Sequence, residues 1–202
     1  ALKKEMFVKE GYAIYEQQHA IYGDWVFRYF INDDKFHQLK RFEVKAGDIL
    51  MSCSGTMGKT SIVPENPTKG IINQALLKLS VRDIATNKFV KAFMDSSWFQ
   101  KGLGQNTSGG AIQNVASVSI LKTLEIPIPS LSKQQEIVSH LDTFTTLISN
   151  LESELDMRRK QYEHYRNQLL DFEGVEGVEW KTLGETCTLK ARIGWQGLTK
   201  KE

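Results

Sequence analysis

Apolar and polar positions alternate with two different periods in this chain, and the change of period divides it. From Ser132 to Phe172 apolar side chains recur at Ile137, Leu141, Phe144, Ile148, Leu151, Leu155, Tyr162, Tyr165, Leu169 and Phe172. The steps alternate four and three, with Arg158 taking one position. That is a heptad seam, and it predicts one long helix. Pro127 and Pro129 keep the chain before it extended, Ser132 with Gln135 fits a capping box, and Gly174 and Gly177 lie where it would stop. At 1.5 Å per residue the rod is roughly 60 Å long. A helix that is apolar along one seam needs a second helix in water, so Ile137, Leu141, Phe144, Ile148, Leu151, Leu155, Tyr162, Tyr165 and Leu169 are the candidate residues for a partner helix. The alternative is a long core helix of one globular domain.

Before the rod, the period is two. Tyr12–Tyr15 alternates, as do Trp25, Phe27, Tyr29 and Ile31. Gly47-Asp48 is a turn that launches Ile49–Ser52, Thr60–Val63 ends at Pro64, and a strand pair falls within 70–79. These short strands predict a small, curved, mainly antiparallel sheet. Asn87–Phe99 reads as one helix closed by Gly102 and Gly104, and Ser117–Leu124 as a short helix. After the rod, Thr186–Lys190 reads as a strand. The fold class is therefore α+β: a mainly antiparallel β domain with small helices over residues 1–131, and a coiled-coil helix over 132–173. Both chain ends carry a Leu-(Thr)-Lys-Lys-Glu run. Residues 178–202 are therefore expected to complete the domain begun at residue 1, as in a circular permutation.

Charge sharpens this division. The net charge is +2. Residues 1–131 carry 16 basic and 12 acidic side chains (+4), residues 132–179 carry 5 and 10 (−5), and residues 180–202 carry 5 and 2 (+3). A basic reading part beside an acidic rod suits a polyanion on the former and a protein partner on the latter. No apolar run approaches the length of a membrane span. Cys53 and Cys187 lack metal-ligand spacing, and a cytoplasmic chain with buried thiols is the expectation.

Few motifs carry chemistry. Gly55-Thr-Met-Gly58-Lys59-Thr60 resembles a phosphate loop, but Cys53 stands where the first glycine belongs and a strand follows instead of a helix. The segment reads as a turn that offers Thr56 and Lys59 to a DNA backbone, or as a plain hairpin. Asn66-Pro67-Thr68 lacks the second proline and the aromatic residue of an adenine methyltransferase motif. The histidines do not cluster as zinc ligands, and no Ser/His/Asp group can be argued from spacing, so no catalytic or metal residue is assigned. Ser108 and Gln113 lie in a Gly/Ser/Asn loop. Gln17, Gln18 and His19 form a polar cluster beside a strand end, as do Trp195, Gln196, Thr199 and Lys200. Each of these clusters can read base edges or phosphates, and each can be ordinary loop.

Gly47-Asp-Ile-Leu, Ser54-Gly-Thr-Met-Gly-Lys59 and Asn73-Gln74 resemble the target recognition domain of type I restriction–modification specificity subunits. So does the run Gly110-Ala-Ile-Gln-Asn114 through Ile126-Pro-Ile-Pro129 and Leu131-Ser-Lys-Gln-Gln135-Glu-Ile-Val-Ser-His-Leu-Asp142. Trp180, Leu183-Gly184 and Ile193–Thr199 look like the opening of a second recognition repeat. Such subunits have two recognition domains separated by two antiparallel helices. The resemblance implies that each domain reads half of a bipartite double-stranded DNA site, while the helices fix the gap and dock methyltransferase (modification) subunits. It further implies no chemistry and no cofactor in this subunit. S-adenosylmethionine and ATP belong to partner subunits, and the restriction subunit joins through the complex. With one rod and one permuted domain's worth of sequence, the chain looks like a truncated or half-length subunit, expected to pair as a homodimer with a second copy of itself. The competing expectation is a coiled-coil adaptor or inhibitor that binds the partner subunits without reading DNA.

Overall fold

The fold was obtained as a computed structural model, which describes residues 2–105 and 121–190. By its internal contacts the chain divides into two units, Ala1–Thr146 and Leu147–Glu202.

The first unit is built on two three-stranded sheets. In one, β1 (Tyr12–Tyr15) lies between β2 (Phe30–Ile31) and β5 (Gly70–Ile72). The β1–β2 pair is antiparallel, but β1–β5 is parallel, with Ile14 opposite Ile71. Gly70 is required there, because a Cβ on it would stand 2.0 Å from the carbonyl oxygen of Ala13. In the second sheet β3 (Ile49–Ser52) lies between β4 (Thr60–Ile62) and β6 (Leu76–Leu79), with both pairs antiparallel. The single curved sheet expected from the sequence is thus two sheets, still mainly antiparallel. All four residues of β3 are buried, as a central strand covered on both faces requires.

Tyr15 lies at the centre of the first core. It is fully buried, donates its hydroxyl to Thr68 O at 2.7 Å, and packs edge-on to Phe27. Burial pushes its pKa up to about 12. Ile49, Met51, Met94 and Leu103 form a separate cluster under the second sheet.

Three expectations are corrected here. The alternating run Trp25–Ile31 is a strand only at Phe30–Ile31. The rest is assigned to no strand: Tyr29 O still accepts the Ile14 N–H, but the Gln18 and His19 side chains take the Val26 carbonyl that a neighbouring strand would use. Asn87–Phe99 is not one helix. α3 (Asn87–Asp95) stops at Ser96, which is extended, and the Ser96 hydroxyl accepts the Phe99 N–H at 3.3 Å to start α4 (Ser97–Gln105). Gly102 and Gly104 lie inside α4, beyond the helix end expected at Phe99. Two shorter helices, α1 (Gln17–Tyr22) and α2 (Asp33–Gln38), also lie in this unit. Of the expected helix at Ser117–Leu124, residues 117–120 lie outside the described residues; Leu121 is helical and a turn follows it.

The long helix exists as α5, Leu131–Leu169. Its start lies before the expected box: the Ser130 hydroxyl accepts the Lys133 N–H at 3.4 Å, and Ser132 is already helical. It ends before Gly174, where the Asp171 carboxylate accepts the Glu173 N–H at 3.1 Å in a local turn that competes with helix. In the second unit the expected strand Thr186–Lys190 is absent. Thr182 and Glu185 form a capping box that begins α6 (Leu183–Thr186) instead.

Candidate nucleic-acid interface

The β3–β4 turn is built around Ser52, which is fully buried. Its hydroxyl donates to Thr56 O at 2.5 Å and accepts the Lys59 N–H at 3.1 Å, while the Gly58 N–H donates to Ser52 O at 2.9 Å. The Gly58 and Lys59 amides are therefore engaged with the protein itself. The turn leads into β4 and not into a helix whose N-terminus could hold a nucleotide phosphate, so phosphate-loop chemistry does not fit. Gly58 has a left-handed φ of 73°, and a Cβ on it would clash with Gln100 and Leu103. From α4, Gln100 braces the turn by donating to Gly58 O at 2.9 Å and to Met94 O at 2.7 Å.

The brace leaves Thr56 and Lys59 exposed on a fixed turn. Lys59 makes no ion pair among the described residues, whereas neighbouring Lys91 is held by Asp95. A polar cleft of about 400 Å³ opens beside Lys59, lined by Ile21, Thr60, Lys91, Asp95 and Gln100. A free ammonium on a rigid turn beside a polar cleft suits contact with a phosphate backbone.

The second cluster is only partly available. Gln17 and Gln18 are half-buried at the start of α1, and Gln18 donates to Val26 O at 3.2 Å. His19 is 0 % exposed. Its Nδ1 accepts the Glu16 N–H at 2.7 Å and its Nε2 lies 3.1 Å from Val26 O, a pairing that fits the Nε2–H tautomer. Its ring stacks on Phe27 at 4.7 Å. His19 is a core residue that caps α1, and the expectation that it reads DNA is withdrawn. Ser108, Gln113, Trp195, Gln196, Thr199 and Lys200 lie outside the described residues. No group of three or more His, Cys, Asp or Glu among the described residues could hold a metal ion.

On α5 the seam is uncovered. Ile137 is half-buried, and Leu141, Phe144, Ile148, Leu151, Leu155, Tyr162, Tyr165 and Leu169 are all exposed, Phe144 to 61 % and Tyr162 to 65 %. Ion pairs Arg158–Glu154 and Lys160–Asp156 lie along the same helix. No helix among the described residues is long and apolar enough to cross a membrane.

The profile of the type I restriction modification DNA specificity domain matches residues 3–157, which takes in the whole sheet domain and most of α5. The chain belongs to that family. A type I restriction enzyme specificity subunit of Escherichia coli is 55 % identical over 69 residues, 32 % of this chain and 17 % of that protein. A putative type I specificity subunit of Haemophilus influenzae is 32 % identical over 150 residues, covering 71 % of this chain and 37 % of that protein. The chain thus spans less than two fifths of these relatives. The fold agrees with two solved structures at 16 % identity. One, from a study of complex assembly and conformational transition in the type I R-M system, has a TM-score of 0.64 over 85 % of this chain and 41 % of that one. The other, the HsdS subunit of Thermoanaerobacter tengcongensis, has a TM-score of 0.56 over 76 % and 35 %.

Sequence reasoning misses the side chains that hold this specificity domain's turn and helix in place. Gln100 and Asp95 are distant in sequence from the turn they brace. Gln134 is fully buried, although the capping-box pattern points to its neighbour Gln135. The one signal in the sequence is that Gln134 stands three before Ile137, where the four-three alternation of the seam runs on backward with a polar side chain.

Proposed function

We propose that this specificity domain reads one half of a bipartite double-stranded DNA site, without chemistry of its own. It pairs through α5 with a second copy, and it docks methyltransferase subunits, which bring S-adenosylmethionine. Cleavage belongs to an ATP-dependent restriction subunit that joins through the complex. The observation that carries this reading is the specificity-domain match over residues 3–157. The uncovered seam of α5 and the free ammonium of Lys59 support it. An apolar seam this long stays folded in water by burying itself on another helix.

The test is binding of the purified chain to duplex DNA selected from a randomised pool. Binding that falls steeply as salt rises is expected, because each phosphate contact releases counterions. Light scattering on the same sample is expected to give a dimer. A chain that binds methyltransferase subunits but no DNA at any salt would be an adaptor or inhibitor, and the reading would fail.

A further inference from the structure

Gln134 is 0 % exposed, yet every part of its amide is engaged. Nε2 donates to Ile84 O at 3.1 Å and to Pro129 O at 2.9 Å, and Oε1 accepts the Thr86 N–H at 2.9 Å. Those three backbone groups belong to different pieces of the recognition domain. Pro129 ends the extended entry to α5, Ile84 lies in the turn before α3, and Thr86 is the N-cap of α3. One turn along α5, Val138 is buried, and one turn further Asp142 meets Lys88 of α3 at 3.0 Å. Gln134, Val138 and Asp142, spaced four apart, form the row that α5 turns to its domain. The seam from Leu141 to Leu169 follows other positions and stays uncovered. α5 thus meets its own domain over its first turns and leaves the seam beyond them uncovered.

A leucine at 134 would supply burial without direction. A buried amide is tolerated only when its donors and acceptor are met, which fixes its geometry. That geometry is amplified along the rod: a tilt of ~10° at one end of a helix of ~60 Å moves the other by ~10 Å, about three base-pair steps. We propose that Gln134 is a positioning residue that fixes the direction in which α5 leaves the recognition domain, and so sets the half-site spacing the protein accepts. The inference rests on the reading above, in which α5 holds two recognition domains apart.

The test takes a duplex selected by the wild-type chain from a randomised pool and re-spaces its half-sites one base pair at a time. Wild type is expected to prefer one spacing by about tenfold or more over its neighbours, the scale of one mismatched base pair. Gln134→Glu keeps the acceptor and sets a carboxylate against two carbonyls, and Gln134→Leu removes all three bonds. Both are expected to bind an isolated half-site as wild type does while the spacing preference falls several-fold. A residue needed only for stability would lower half-site and full-site binding together and leave the preferred spacing sharp. Where both variants fail to fold, Asp142→Lys, an exposed substitution facing Lys88, is expected to broaden the profile. Folded variants that keep the wild-type profile overturn the assignment of Gln134 alone. A wild-type chain indifferent to spacing overturns the spacer reading itself.

Discussion

Thr60 donates its hydroxyl to Oδ1 of Asp95 at 2.6 Å, tying the first residue of β4 to the last residue of α3. Thr60 is buried, and the second Asp95 oxygen holds Lys91. Valine has nearly the same shape as threonine and keeps the β-branch, so Thr60→Val removes the bond and little else. Asp95 stays half-exposed and keeps Lys91, so the expected loss is about 1 kcal/mol, the net worth of one hydrogen bond. Urea unfolding at unchanged m-value checks it.

His19 gives a larger effect. Substitution by alanine removes the stack on Phe27, the cap at Glu16 and one of the two partners of Val26 O, which keeps Gln18. A cavity and the unmet Glu16 N–H together are expected to cost about 3 kcal/mol. Because the ring is enclosed, DNA affinity per folded molecule is expected to stay at the wild-type value. A loss of affinity without loss of stability in an anisotropy titration would return His19 to the interface.

The two thiols are expected to separate by reactivity. Burial pushes Cys53 up to about 11, while Cys187 is exposed, which corrects the expectation that both thiols are buried. Mass spectrometry of the native protein under iodoacetamide at mildly alkaline pH should show Cys187 alkylated well before Cys53, because the thiolate is the nucleophile. The same shift has a stability consequence of fixed sign. The folded state holds the Cys53 proton more tightly than the unfolded chain does. Its contribution is therefore complete below the ordinary value of 9.0 and is lost as pH rises toward 11. Cys53→Ser is expected to flatten the alkaline arm of the stability curve.

What could be read from the sequence follows from the range of the interactions. The heptad seam was legible because each residue reports on a neighbour three or four positions away, and α5 appears within a few residues of its expected ends. β1 was legible from alternation, and β3, β4 and the pair β5 and β6 from the turn residues around them. The break at Ser96 was hidden because the apolar positions continue across it, from Phe93 to Phe99. The run Trp25–Ile31 misled for the opposite reason: its alternation is real, but side chains replace the ladder. At the interface, Thr56 and Lys59 could be placed on a turn by their glycines. The bonds that hold the turn, from Gln100 and from Asp95 through Thr60, span 35 to 42 positions. No local pattern encodes pairings of that range.

The seam of α5 yields a direct test of pairing. Leu151 is 56 % exposed in the single chain and sits mid-helix. Leu151→Asp places a charge in a seam that a partner would desolvate, at a cost of several kcal/mol per paired site. The variant is expected to sediment as a monomer where wild type is a dimer. Its helical circular dichroism should fall as well, since a long helix draws most of its stability from the face it packs. The sheet domain lies in the other unit and is expected to melt as before.

Lys59 decides whether the β3–β4 turn touches DNA at all. Its ammonium is exposed and has no carboxylate partner among the described residues, so none of these competes for it. The backbone beneath it is fixed by Ser52 and Gln100, so removing the charge should leave the fold intact. Lys59→Ala is then expected to weaken binding to every duplex alike, because a phosphate contact carries no base information. The slope of log affinity against log salt is expected to flatten by about one, as it does when one fewer phosphate is neutralised. Gln17→Ala, at the half-buried start of α1, is the contrasting case and is expected to relax a single base position at nearly unchanged slope. Parallel slopes for wild type and Lys59→Ala would move the phosphate contact away from this turn.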